Sequence, residues 1–261
     1  MITRTSFRLI PSAAVLSLLM TLATQSAAQA RQCAEESFEG ASYVVCTIDP
    51  AASDLRLFWR NAAGKPYRSF TTVADAVRGQ GRELVLAINA GMYRRDFSPV
   101  GLYVEDGQEL QPADTTSIEG PPRQIPNFYK KPNGIFFLTA TNAGVVTTEA
   151  FRRTRPDVRF ATQSGPMLVI ENELHPAFIP GSTDRTRRSG VGVCKGGHVR
   201  FAISDGGVNF DSFARLFRDR LACPDALFLD GGRGAGLYLP ETGRNDGSWY
   251  GGFGPIFGLV K

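Results

Sequence analysis

The chain has 261 residues, 43% hydrophobic and 21% charged, with 28 Gly, 16 Pro, four Cys and two His. That composition excludes disordered, collagen-like and coiled-coil chains. A domain of this length can bury about 70% of its unfolded surface, so its core does not depend on metals or disulfides, and its formal charge of +4 is small.

In chain order, Arg4 and Arg8 come first, and no acidic residue precedes Glu35. Residues 13–23 form an apolar stretch broken only by Ser17 and Thr21, shorter than the ~20 apolar residues that span a bilayer. Ala28-Gln29-Ala30 then supplies a small-x-small cleavage site. Residues 1–30 therefore read as a signal peptide, against the alternative of an N-terminal anchor. Residues 31–261 read as one exported domain, periplasmic or secreted, with no stable membrane span. Losing Arg4 and Arg8 leaves +2 on that domain. This is too balanced for nucleic acid, and no basic-aromatic stripe accompanies it.

Export makes the cysteines legible. Cys33, Cys46, Cys194 and Cys223 are even in number and lack the paired C-x-x-C spacing of zinc sites. Disulfides are the reading for an oxidising compartment, with free thiols the alternative. Three pairings exist, and Cys33–Cys46 with Cys194–Cys223 is the favoured one. The first would staple the N-terminus to a strand at 42–48, and the second would tie a strand to the segment after a helix.

Residues 55–60 alternate apolar and polar, as a half-buried strand does. Thr72 and Asp75 can cap a short helix with Val73, Ala76 and Val77 on its apolar face, ended by Gly79 and Gly81. Residues 83–89 read as a buried strand. Residues 100–104 and 108–110 flank Glu105-Asp106-Gly107, a hairpin with the favoured Asp-Gly turn. Residues 111–132, rich in Pro and polar side chains, form a long loop, and loops of that length in a compact domain are often functional. Short strands follow at 134–139, 158–161, 167–170, 190–194 and 199–203. Asn209 then precedes a helix in which Phe210, Phe213, Phe217 and Leu221 recur at helical spacing, a core stripe. Residues 226–229 form a last buried strand, ending at Asp230-Gly231-Gly232. The pattern predicts one compact mixed domain of α+β class, strand-rich with few helices.

Most chemical motifs fail. Ser164 lacks a G-x-S-x-G elbow, and His175 and His198 sit outside any H-E-x-x-H pattern. Residues 231–236 miss the G-x-G-x-x-G spacing, and no Walker A sequence exists. Residues 205–211 do not match an EF-hand loop. None of these yields a cofactor or metal site. What remains are five strand ends carrying Gly and polar groups: Asn89-Ala90-Gly91-Met92-Tyr93, Lys131-Pro132-Asn133-Gly134, Thr162-Gln163-Ser164-Gly165-Pro166, Arg187-Arg188-Ser189-Gly190 and Leu229-Asp230-Gly231-Gly232. Gly lets a ligand approach the backbone, and the polar residues supply hydrogen bonds.

At these residues, over roughly 84–260, the sequence resembles the phosphodiester glycosidase family. Asn89-Ala90-Gly91-Met92-Tyr93 is similar to its Asn-Gly-Gly-Phe-Phe-type segment. Arg188-Ser189-Gly190-Val191-Gly192 is similar to its Arg-Thr-Ala-Ile-Gly segment, and Leu229-Asp230-Gly231-Gly232 to its Leu-Asp-Gly-Gly turn. The resemblance implies a compact mixed α/β domain and an exported hydrolase that cleaves a glycosyl phosphodiester or related linkage in envelope or extracellular glycans. Its substrate would be a glycan or phosphorylated sugar. A guanidinium matches two phosphate oxygens, so Arg188, with Arg187 second, is the candidate for neutralising phosphate. Asp230 is the candidate for stabilising an oxocarbenium-like centre or activating water. Asn89, Asn133, Gln163 and Ser164 are candidates for holding hydroxyls or phosphate oxygens, with Gly91, Gly231 and Gly232 allowing close approach. A second carboxylate is not evident, since the hairpin turn explains Glu105 and Asp106. A non-catalytic glycan-binding protein and an envelope assembly protein are the alternatives on the same fold.

Overall fold

The structure, a computed structural model, describes residues 1–2, 32–121 and 123–261. The signal peptide read at residues 1–30 therefore lies outside the described residues, apart from Met1 and Ile2. The first part of the fold runs β1 (Cys33–Phe38), β2 (Ala41–Ile48), β3 (Asp54–Phe58), α1 (Phe70–Arg78), β4 (Leu84–Asn89), β5 (Tyr103–Glu105) and β6 (Gln108–Gln111). Next come β7 (Gly134–Leu138), β8 (Ala143–Thr147), α2 (Thr148–Thr154), β9 (Phe160–Ser164), β10 (Met167–Ile170) and β11 (Glu173–Leu174). The chain closes with β12 (Arg188–Val193), β13 (Val199–Ser204), α3 (Phe210–Arg215), β14 (Asp225–Gly231), β15 (Leu237–Leu239), β16 (Arg244–Asn245) and β17 (Ile256–Val260).

These strands make three antiparallel sheets, ordered β1-β2-β13-β12-β14-β10-β11, β16-β15-β4-β17-β3 and β6-β5-β9-β7-β8. Their inner faces converge on one core. Ile48, Phe201 and Leu227 come from the first sheet, Leu57, Leu86 and Phe257 from the second, and Tyr103 and Phe136 from the third. Outer faces are covered by helices, since a sheet with both faces apolar must bury both. Phe213, Leu216 and Phe217 from α3 and the wider turn that continues it (Leu216–Arg220) cover the first sheet. Phe70, Val73, Ala74 and Val77 of α1 cover the second, and Phe151 of α2 packs on the third. No described helix is long and apolar enough to cross a membrane.

Both favoured disulfides are present. Cys33 and Cys46 stand opposite each other in the β1–β2 ladder. Cys194 joins Cys223, linking the end of β12 to the segment after α3. Several details differ from the pattern reading. Ser69 caps α1, its hydroxyl accepting from the Thr72 amide, whereas Thr72 turns back and donates to the Tyr67 carbonyl. The buried face of α1 accordingly uses Phe70 and Ala74 in place of Ala76. Strand β9 begins at Phe160 and carries Gln163 and Ser164 inside it, because both pair with β7. The aromatic stripe of α3 is core at Phe213 and Phe217, but Phe210 is only half-buried and lines a groove.

Candidate functional site

The site grows from the last buried strand. Ala226, Leu227, Phe228 and Leu229 are fully buried, which fixes β14 in the middle of its sheet and leaves Asp230 at its end. The ladder between β12 and β14 slips there: Gly190 faces Phe228, whereas Ser189 faces Asp230, so Leu229 is an extra residue. Such a bulge re-aims the side chain that follows it. Arg188 faces Gly231 in the same ladder. Because successive strand residues point to opposite faces, Asp230 shares a face with Ser189, and Arg188 points the other way, into the α3 layer.

Asp230 Oδ1 accepts from the Gly231 amide at 2.7 Å, and Ser189 Oγ donates to the Asp230 carbonyl at 3.0 Å. Gly234 packs so closely on the carboxyl that any Cβ there would collide with it. Burial pushes Asp230 up to about 7, against the opposing effect of the Gly231 hydrogen bond. Arg187 clamps the loop that follows. Its carbonyl accepts from the Gly232 amide at 2.8 Å, and its guanidinium donates to the Ala235 carbonyl at 3.3 Å and to Asp246 at 2.5 Å. Asp246 also accepts from the Leu237 amide at 3.0 Å and from Arg244 at 3.2 Å. The half-buried phenol of Tyr93 completes this side, donating to the Gly252 carbonyl at 2.9 Å. Burial pushes it up to about 12; a hydrogen bond with Ser248 opposes the rise, and the negative charge of Asp230 adds to it.

Arg188 is 1% exposed. Its guanidinium lies 3.6 Å from the centre of the Phe210 ring and donates to the Val208 carbonyl at 2.9 Å. The nearest carboxylate in an ion pair with it, Asp184, is 4.0 Å away and mostly exposed. Burial accordingly lowers Arg188 to about 10, with Asp184 acting in the opposite direction. Phe210 and Asp184 belong to a groove of about 370 Å³ that also includes Arg123, Lys130 and Phe178. Lys130 is pulled down by burial; Asp184 raises it and the neighbouring Arg188 lowers it further. Two cations thus share this corner without a hydrogen-bonded carboxylate between them among the described residues.

The remaining expected residues lie deeper. The Asn89 carboxamide accepts from the Gly236 amide and donates to the Ala90 carbonyl. Gly91 touches the Gln163 carbonyl so closely that a side chain would collide with it. Asn133 donates to the Phe128 carbonyl and accepts from Thr148. The Gln163 carboxamide accepts from the Leu102 and Asp114 amides and donates to the Asp114 carbonyl and Thr148, which uses all four of its positions. Ser164 donates to the Leu229 carbonyl at 2.8 Å, directly beneath the bulge. The fold therefore brings Asp230, Gly231, Gly232 and Arg187 together, places Arg188 on the opposite face, and holds Asn89, Asn133, Gln163 and Ser164 in buried networks that brace the strand ends. No cluster of three or more His, Cys, Asp or Glu suited to a metal occurs among the described residues. Sequence reasoning missed Lys130, Asp246 and Trp249 as neighbours of the site. Lys130 sits in the long loop whose length was the signal. Trp249 stands among turn residues with no strand period to explain it.

Comparison with known proteins bears on the family and the fold. A sequence profile described as phosphodiester glycosidase matches residues 82–252. The uncharacterized protein YigE of Escherichia coli K12 is 31% identical over 185 residues, which covers 71% of this chain and 70% of that protein. Among solved structures, the zebrafish N-acetylglucosamine-1-phosphodiester alpha-N-acetylglucosaminidase catalytic domain, auto-inhibited by its pro-peptide, superposes with a TM-score of 0.59 at 15% identity, covering 87% of this chain and 81% of that one. A hypothetical protein from Synechocystis gives 0.53 at 16% identity, with coverage of 87% and 61%. A putative exported protein from Burkholderia pseudomallei gives 0.51 at 14%, with coverage of 84% and 74%.

Proposed function

Because the chain belongs to the phosphodiester glycosidase family, we propose that it is an exported hydrolase of glycosyl phosphodiesters in envelope or extracellular glycans, with Asp230 as its catalytic carboxyl. The observation that carries this reading is the placement of Asp230 at the bulged, glycine-lined end of β14. A carboxyl raised to about 7 at a glycine-lined strand end is half ionised near neutral pH, where a general base is most effective. In the reaction, water attacks the anomeric carbon and the bond from that carbon to the phosphate oxygen breaks. The phosphate monoester leaves with the bonding electrons, and Asp230 takes the proton from water. The leaving phosphate is weakly basic, so the larger demand is for positive charge. Arg188 and Lys130 carry positive charge with no hydrogen bond to a carboxylate, and Lys130 lines the groove at this corner. Arg188 faces Gly231 in the ladder, next to Asp230 but on the opposite face of the strand end.

The test uses the exported chain and an N-acetylglucosamine phosphodiester, the substrate type named for the zebrafish relative. Release of sugar, lost in Asp230→Asn with the circular dichroism spectrum unchanged, supports the reading. Full activity in that variant removes Asp230 from the chemistry. Glycan binding that Asp230→Asn leaves unchanged, with no turnover on a broad phosphodiester panel, assigns a non-catalytic glycan-binding protein.

A further inference from the structure

Residues 246–254 carry two large aromatic side chains that no core element covers. Trp249 is 79% exposed and Tyr250 63% exposed, whereas Phe253, a few residues on, is buried against Phe70. Adjacent exposed aromatics of this size commonly mark a binding surface. This segment is pinned. The Arg68 guanidinium donates to the Gly251 carbonyl at 2.5 and 3.1 Å, the Phe253 amide donates to the Arg68 carbonyl at 2.7 Å, and Tyr93 holds the Gly252 carbonyl. Fixing the backbone in advance lowers the ordering cost of presenting the two rings to a ligand.

The segment also adjoins Asp230. Arg233, three residues beyond Asp230, places its guanidinium 5.3 Å from the centre of the Trp249 ring. Tyr93 feels the charge of Asp230, and its hydroxyl is 3.4 Å from Ser248 Oγ, which accepts from the Tyr250 amide at 3.3 Å. A carboxyl, a guanidinium, hydroxyls and two aromatic rings therefore gather in one place.

We infer that Trp249 and Tyr250 form a stacking ledge for a pyranose ring, a sugar subsite beside Asp230. The inference rests on the reading of the chain as a glycan-acting protein and names how the sugar is held. One face of a pyranose is a patch of weakly positive C–H groups, and the face of an aromatic ring is negative, so the two attract while apolar surface is buried. The hydroxyls at the sugar rim need donors and acceptors, which Ser248, the Tyr250 hydroxyl and Arg233 supply. Arg233, over one face of the indole, adds a cation–π contact that holds the platform in place and leaves the other face for the sugar.

Tryptophan fluorescence gives a direct readout. The chain has two tryptophans. Trp59 is 5% exposed with its indole N–H on the Phe97 carbonyl, so an added sugar changes the emission of Trp249 alone. The probes are chito- and cello-oligosaccharides of two to six rings. Saturable blue-shifted emission is expected in the native chain and in Asp230→Asn. In Trp249→Ala, binding measured by calorimetry should weaken about tenfold or more, with the melting temperature unchanged. No emission change with either series, or native-like affinity in Trp249→Ala, overturns the ledge. So does burial of Trp249 by self-association or by lipid vesicles in preference to sugar. The two readings fail separately. Loss of turnover in Asp230→Asn with native-like sugar affinity in Trp249→Ala removes the ledge and keeps the catalytic carboxyl. A Trp249 response with full turnover in Asp230→Asn keeps the ledge and removes the catalytic carboxyl.

Discussion

Replacing Asp230 with Asn tests the central group without any substrate. The folded carboxyl titrates near 7 and the ordinary value is 3.8. A group whose pKa is raised on folding favours the native state while protonated. Its contribution is whole below pH 3.8 and is lost as pH rises through 7. At about 1.4 kcal/mol per pH unit, the ceiling on that loss is about 4 kcal/mol. Asp230 keeps part of its surface in solvent, so the observed change falls below the ceiling. Asn preserves the shape and can still accept from the Gly231 amide, but it carries no charge at any pH. The assay is urea unfolding of both proteins from pH 4 to pH 8, read as the difference in unfolding free energy, in which all other titrating groups cancel. The variant is expected to gain on the native chain steadily as pH rises, by about 2–4 kcal/mol at pH 8. A flat difference, or one in which Asn falls behind at high pH, means that the carboxyl is ionised and stabilised in the fold. The raised value argued for Asp230 is then wrong, and with it the case for a general base.

Four other variants probe the frame of the fold. Opening the Cys194–Cys223 bond, which joins residues 29 apart, with a double Ser variant should cost about 3–4 kcal/mol by chain entropy, read from the urea midpoint. Asp54 is held down to about 2 by its hydrogen bond from Arg56 and then by Arg82, against burial. Asp54→Asn should therefore cost about 1–2 kcal/mol at pH 7, a penalty that shrinks as pH falls from 3.8 through 2 and is visible as converging acid unfolding curves. Gly91→Ala forces a methyl group against the Gln163 carbonyl and should destabilise by about 1–3 kcal/mol, whereas Gly247→Ala, with nothing within 4 Å, should change the melting curve by less than about 0.5 kcal/mol.

Much of the fold was legible where hydrophobic periodicity and turn chemistry agree. β4, β10, β13 and β14 follow from apolar runs bounded by Gly, Asn or Pro, and the Asp-Gly turn marks the β5–β6 hairpin. β1 was not read, because Glu35 and Glu36 interrupt its apolar pattern at a sheet edge, where charged side chains discourage further pairing. β17 was missed although every residue in it is buried. Gly258 breaks the pattern because there is no room for a side chain between Leu84 and Phe58. α2 is only seven residues long and depends on the Thr147 cap and the packing of Phe151, neither of which has a period to detect.

The site shows the sharper limit. The residue types were readable, since Gly, Asn, Arg and Asp at strand ends are unusual enough to notice in a single chain. Their directions were not. Whether Asp230 and Arg188 face the same way depends on one extra residue, Leu229, in a ladder with β12, and a one-residue slip reverses every side chain beyond it. Without the bulge, Asp230 would follow Phe228 into the apolar layer under α3, beside Arg188, and the pair would neutralise each other as a buried salt bridge. With it, the carboxyl is turned away from the guanidinium, and each stays without an opposite charge in hydrogen-bonding range. Burial then raises the carboxyl to about 7, and Arg188 stays buried against Phe210 with its hydrogen bonds on backbone carbonyls. A backbone irregularity, which no composition or motif encodes, therefore decides whether this strand end holds a buried ion pair or two separated charged groups.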